Sequence, residues 1–159
     1  MIADGSDDGT LPARRLCALT GVAPQTRQEW ADRGLLARKK RYGQLDLVEQ
    51  SVLAIVLRTI PKGEVAVAWE QVRPELRSLV PTPDLVLVWD PKDRRATLVR
   101  GDVAVARSVL LGRPVYAIAI GDDLVRAREA FQAEVRAMLG RSAQRSRNDR
   151  RSPGKASIG

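Results

Sequence analysis

The chain has 159 residues, with 27 Lys and Arg against 19 Asp and Glu and no His, for a net charge of +8. That length suits one compact domain or two small ones with a real apolar core, and it excludes a large enzyme. A single cysteine excludes an internal disulfide, 4% aromatics disfavour a base-stacking platform for single-stranded nucleic acid, and no run of about eighteen apolar residues exists to span a bilayer.

The charge is unevenly spread. Residues 1–10 carry three acids and no base, residues 11–60 nine bases and four acids, residues 61–140 twelve and eleven, and residues 141–159 six and one. The positive excess thus lies in 11–60 and in the tail, the distribution expected if both approach a polyanion. The acidic start MIADGSDDG lacks the charged and apolar regions of a signal peptide, so the expected location is cytoplasmic.

Residues 1–10, rich in Gly, Asp and Ser, are expected to be a disordered lead. A first helix follows from Pro12 to Leu19, with Leu16 and Leu19 on one face. Thr20-Gly21-Val22 supplies a turn whose glycine can take left-handed angles, and Pro24 opens a second helix that runs to Arg33 and closes at Gly34. Leu35-Leu36 returns to the core. The next stretch, ARKKRYGQL, sets four cations, Arg38 to Arg41, beside Tyr42-Gly43, which can turn a short β-hairpin.

Asp46 and Glu49 have capping-box spacing, with Asp46 as the cap of a third helix. Leu47, Val48, Val52, Ile55, Val56 and Thr59 keep a helical rhythm that is apolar over more than one face, so this helix should be the most buried. Pro61-Lys62-Gly63 breaks it. A fourth helix, Glu64 to Leu79, carries a stripe of Val65, Ala68, Val72, Leu76 and Leu79, with Pro74 placed to kink or divide it.

The two prolines of PTPD, 81–84, end the helical half and mark the expected domain boundary. LVLVWD (85–90) and ATLVRG (96–101) flank a PKDRR turn and read as a β-hairpin. Residues 103–111 are open between strand and short helix. VYAIAI (115–120) reads as a further strand, central because it is apolar on both faces. Gly121-Asp122-Asp123 opens an amphipathic helix to Leu139, which either packs on its own sheet or dimerises. The expected class is α+β: a disordered lead 1–10, a helical unit 11–80, a small β-hairpin/sheet plus helix module 84–139, and a basic disordered tail 140–159.

Residues 13–60 resemble the winged helix-turn-helix DNA-binding region of the MerR superfamily, including its BldC-like and excisionase-like relatives. The matching pieces are Leu16-Cys17-Ala18-Leu19-Thr20-Gly21-Val22, Pro24, Thr26, Trp30, Gly34-Leu35-Leu36, then the basic wing and a capped helix. The match covers about a third of the chain, or about half if Glu64–Leu79 is the family's following helix. The resemblance implies that helix 24–33 enters the major groove and that the wing 38–41 grips phosphates. It places Gln25, Thr26, Gln28 and Glu29 near base edges or phosphates and Arg38, Lys39, Lys40 and Arg41 near phosphates. Thr20, Arg27 and Tyr42 complete the candidate DNA-binding set. The residue chemistry agrees, since Gln pairs bidentately with adenine and Arg or Lys with guanine. The bland alternative for the Lys39–Arg41 run is a solvated turn.

Two departures limit the transfer. Arg27 and Gln28 stand where the family has an apolar residue and then Arg, so Arg27 either covers Trp30 across a helical turn or itself reaches DNA. The prolines and β-rich segment also replace the long dimerising coiled coil, so the family's metal and drug sensing and its DNA untwisting do not carry over.

Trp30, Trp69 and Trp89 each lie in an apolar pattern and read as packing rather than a ligand cage. With no His, CxxC, GxxxxGK[ST] or GxSxG, no catalytic residue, metal ligand or cofactor is expected. Asp90 with Asp93 fits a turn, and Asp122 with Asp123 a helix N-terminus. The expected function is sequence-specific double-stranded DNA binding, first as a nucleoid-associated transcriptional regulator acting as a homodimer or cooperative assembly, with no membrane partner. An excisionase-like or architectural DNA-bending factor is the alternative. A different class is an antitoxin- or adaptor-type interaction module holding a protein partner through 84–139.

Overall fold

The computed structural model describes residues 9–101, 112 and 115–151. Helix α1 is Ala13–Thr20 and α2 is Pro24–Asp32, with Pro24 in the first turn, where its missing N–H costs nothing. Gly21 (φ 70°) and Gly34 (φ 75°) terminate the two helices in the left-handed conformation. Helix α3, Gln44–Thr59, begins two residues before the expected cap. Asp46 is its third residue, and its Oδ2 reaches back to accept from the Gly43 N–H at 2.8 Å. Asp46 thus serves the N-terminus from inside the helix. The expectation of greatest burial is met: α3 buries nine of its 16 residues.

Helix α4 is Val65–Val72, and a 3-10 helix, Arg73–Ser78, follows it. Pro74 therefore divides the expected fourth helix, because its ring cannot be accommodated within a continuing α-helix. Between α2 and α3 the expected β-hairpin over 38–43 is absent. That stretch is irregular, and its one strand-like contact joins Tyr42 to Leu11 through paired backbone hydrogen bonds of 2.8 Å. The lead before α1, rather than a second strand of a wing, takes the Tyr42 backbone.

Strands β1, Leu85–Asp90, and β2, Arg95–Arg100, form the expected hairpin, in register from Leu85 opposite Arg100 to Asp90 opposite Arg95. Asp90 Oδ1 accepts from the Lys92 and Asp93 N–H groups at 3.0 and 3.3 Å, holding the turn. Strand β3, Tyr116–Ala119, pairs antiparallel with the other side of β1, giving the order β2-β1-β3. The central strand is β1 and not 115–120. The physical reason is side-chain volume: Leu87, Val88 and Trp89 fill both faces of β1, whereas the alanines of β3 have little surface to bury and stay exposed. Residues 103–111 lie outside the described residues.

Helix α5, Gly121–Arg151, is 31 residues long. It starts where Gly121 passes so close to the Thr82 and Pro83 carbonyls that no side chain would fit. It packs chiefly along α3 and α1 of the N-terminal half rather than on its own sheet. Buried Phe131 joins Leu11, Leu16, Tyr42 and Leu47, with Ala127, Val135 and Met138 beside it. A second cluster runs from Trp30, Val52 and Ile55 through Trp69 and Val72 to Leu87, Trp89, Ile120 and Leu124. The apolar core thus continues across Pro81–Asp84, joining β1, Ala96 of β2, Ile120 and Leu124 to the helical half. Those prolines mark a change from helix to sheet.

The helix also continues past Leu139, into the stretch expected to be a disordered tail. Ala, Arg and Gln have high intrinsic helix propensity, and a preformed helix propagates without a new nucleus. Residues 152–159 lie outside the described residues. No helix among the described residues is long and apolar enough to cross a membrane.

Candidate nucleic-acid interface

Helix α2 separates its residues cleanly into two sides. Gln25, Gln28, Glu29 and Asp32, at i, i+3, i+4 and i+7, are all exposed and share one face. Arg27 and Trp30 are buried on the other side. Thr26 lies half-buried between them. Gln25, Thr26, Gln28 and Glu29 of the candidate set are therefore together and at least partly accessible.

Arg27 is not. It is 5% exposed, and its Nε donates to Gln50 Oε1 at 2.8 Å while an Nη donates to the Ala37 carbonyl at 2.9 Å. Its guanidinium lies 4.1 Å from the Tyr42 ring centroid, so it stacks on Tyr42 rather than covering Trp30. Tyr42 is also interior, 2% exposed, and its hydroxyl accepts from the Lys39 N–H at 3.0 Å. Neither residue is available to touch a phosphate. A cation this deep must satisfy its donors within the protein, and it does so by linking α2, the basic loop and α3.

Thr20 belongs to the same chain of contacts. Its hydroxyl donates to the Leu16 carbonyl at 3.1 Å and accepts from Gln50 Nε2 at 2.6 Å. Gln50 is fully buried and bridges Thr20 to Arg27. No local pattern reveals which groups Gln50 joins; a Gln amid the apolar positions of α3 is the signal that could have suggested an internal polar partner.

The four loop cations have different surroundings. Arg38 pairs with Asp32 at the end of α2. Lys39 pairs with Asp46 at 3.0 Å. Arg41 donates to the Thr10 hydroxyl and carbonyl, both at 3.0 Å. Lys40 is exposed and has no partner among the described residues. Arg38, Lys39 and Lys40 are exposed, so each can turn toward an anion; the Arg38–Asp32 pair is solvent-facing on both sides and cheap to exchange, whereas Lys39 pairs with the buried carboxylate of Asp46, which keeps its bond to the Gly43 N–H if the lysine turns away.

Below the loop, Glu49 is buried one turn after Asp46, and its Oε2 accepts from Arg73 Nε at 3.3 Å. Burial pushes the Glu49 carboxyl up from its ordinary range, and nearby Arg73 only partly offsets this. The tryptophans are packing residues, as expected: Trp69 donates to the Leu35 carbonyl at 2.8 Å and Trp89 to Glu64 at 2.9 Å. Cys17 is buried in α1. The chain matches no family model, and no curated protein is similar to it.

Proposed function

We propose that this chain is a sequence-specific double-stranded DNA-binding protein, acting in the cytoplasm at the nucleoid as a transcriptional regulator and having no catalytic role. The observation that carries this reading is the α2 surface, where Gln25, Gln28 and Glu29 stand exposed on a helix anchored from behind by Arg27 and Trp30. An α-helix fits the major groove, Gln can pair with adenine, and a carboxylate can accept from the cytosine amino group. Arg38, Lys39 and Lys40 beside the end of α2 supply positive charge for the flanking backbone.

Selection from random duplexes tests this reading. The chain should enrich a defined motif, and Gln25→Ala or Gln28→Ala should change preference by about 1–3 kcal/mol at the contacted base pair. Changing Arg38, Lys39 and Lys40 to Gln should weaken every duplex alike. Failure to enrich any motif would sink sequence-specific readout, and weak uniform binding with induced curvature would favour an architectural factor.

A second reading, a protein-interaction module, has one observation in its favour. Tyr116, Ala117 and Ala119 of β3 are exposed, and among the described residues β3 pairs on one side only. An edge of this kind can accept a strand from a partner or a second copy. Sedimentation of the chain alone and a partner-capture experiment with Tyr116→Lys separate that reading from the first.

A further inference from the structure

Helix α5 packs on the body through Leu124, Ala127, Phe131, Val135 and Met138, a stripe of helical period. Continued along the same face, that stripe becomes Ser142, Arg145, Ser146 and Asp149, and every residue from Gly140 to Arg151 is exposed. No apolar seam remains to dock a coiled-coil partner or enter a bilayer surface. The segment instead carries Arg141, Arg145, Arg147, Arg150 and Arg151 against Asp149 alone. None of the five arginines has an ion pair or hydrogen bond among the described residues.

That pattern opposes an isolated helix. Arg141 with Arg145 and Arg147 with Arg151 are like charges at i, i+4, and Arg147 with Arg150 at i, i+3, each pair destabilising. A dense polyanion outweighs these repulsions, because each arginine then gains an attractive partner. From Arg141 to Arg151 the helix spans about 15 Å at 1.5 Å per residue, and duplex DNA presents one negative charge per about 1.7 Å of its axis. Arginine also suits phosphate through its planar fork of donors.

We infer that the last three turns of α5, Arg141–Arg151, are a second phosphate-binding element that lies along the backbone of double-stranded DNA; this rests on the DNA reading above. It adds affinity without sequence preference, and it continues a helix whose earlier turns pack on α1 and α3.

The test compares the full chain with a variant carrying Arg→Gln at 141, 145, 147, 150 and 151, on specific and scrambled duplexes over a salt series. Affinity should fall at least roughly tenfold for both duplexes, with sequence preference kept, and the slope of log K against log salt should flatten by about 0.9 for each phosphate no longer neutralised. Arg→Lys at the same positions should restore most of the slope, because a point charge also releases counterions. Truncation after Gly140 should reproduce the Gln variant. If the parent binds DNA and the Gln variant and the truncation bind equally well, the arm is overturned and the DNA reading stands. Loss of sequence preference in the Gln variant would also overturn it, by making the segment a base reader. A parent that binds no duplex overturns both.

Discussion

Arg27 and Gln50 meet in the interior, Nε donating to Oε1 at 2.8 Å, and this contact holds the outward-facing helix α2 to the buried helix α3. Gln50 passes the link on to Thr20 of α1 through its amide at 2.6 Å, while Arg27 passes it to the basic loop through the Ala37 carbonyl and the Tyr42 ring. Three helices and a loop are thereby positioned by one buried polar chain. Such a chain specifies a single arrangement, because any shift strands a buried donor.

Removing either partner should be costly. Gln50→Met leaves a buried guanidinium short of an acceptor, and Arg27→Met leaves Gln50 and Ala37 oxygens without their donor; each should cost about 2 kcal/mol in urea unfolding. The double variant should lose less than the sum, with a coupling of about 1–2 kcal/mol. Strict additivity would show that the pair does not act as a unit.

Phe131 should prove central to the N-terminal half although it lies late in the chain. Phe131→Ala opens the cluster of Leu11, Leu16, Tyr42 and Leu47 and should cost about 3–4 kcal/mol. Truncation after Gly140 removes only exposed residues among those described and should change unfolding stability by less than about 0.5 kcal/mol. Equal effects from the two changes would contradict this packing.

Two glycines should respond differently to alanine. At Gly21 a Cβ meets open space and only the positive φ is strained, so Gly21→Ala should cost about 1 kcal/mol. At Gly121 the Cβ would collide with the backbone carbonyls of Thr82 and Pro83, which cannot rotate away, so Gly121→Ala should cost about 3 kcal/mol or more. Thermal unfolding of the two variants gives the order directly.

Glu49 should leave a signature in pH. Its folded carboxyl is raised above the ordinary value of 4.5, so the folded state holds the proton more tightly than the unfolded chain. The stability it contributes is therefore full below the unfolded value and lost as pH rises through the raised folded value. Stability of the parent relative to Glu49→Gln should fall across that window and level off above it. Chemical unfolding from pH 4 to 8 measures the difference, and a constant offset would refute the assignment.

Several elements were legible because they depend on local chain chemistry. Gly21, Pro24 and Gly34 punctuate α1 and α2 where the structure has them, and the α+β class and the β1–β2 hairpin follow from period and turn residues. The expected loop hairpin failed because Tyr42 is claimed by Leu11, a partner more than thirty positions away that no local pattern reveals. Within the candidate DNA-binding set, Gln25, Gln28, Glu29, Arg38, Lys39 and Lys40 are exposed. Thr20, Arg27 and Tyr42 instead have interior partners, because a polar residue on a short helix can face either way until its neighbours are placed.

The sequence by itself determined where helices and strands begin and end, to within a few residues over most of the chain, and where positive charge accumulates, since backbone angles and formal charges belong to single residues and short windows. Only the tertiary structure decided that β1 is central, that α5 serves the N-terminal half, and that Arg27 faces inward while Arg141–Arg151 face out. Each of those depends on which distant surfaces come together to exclude water, a property of the assembled chain.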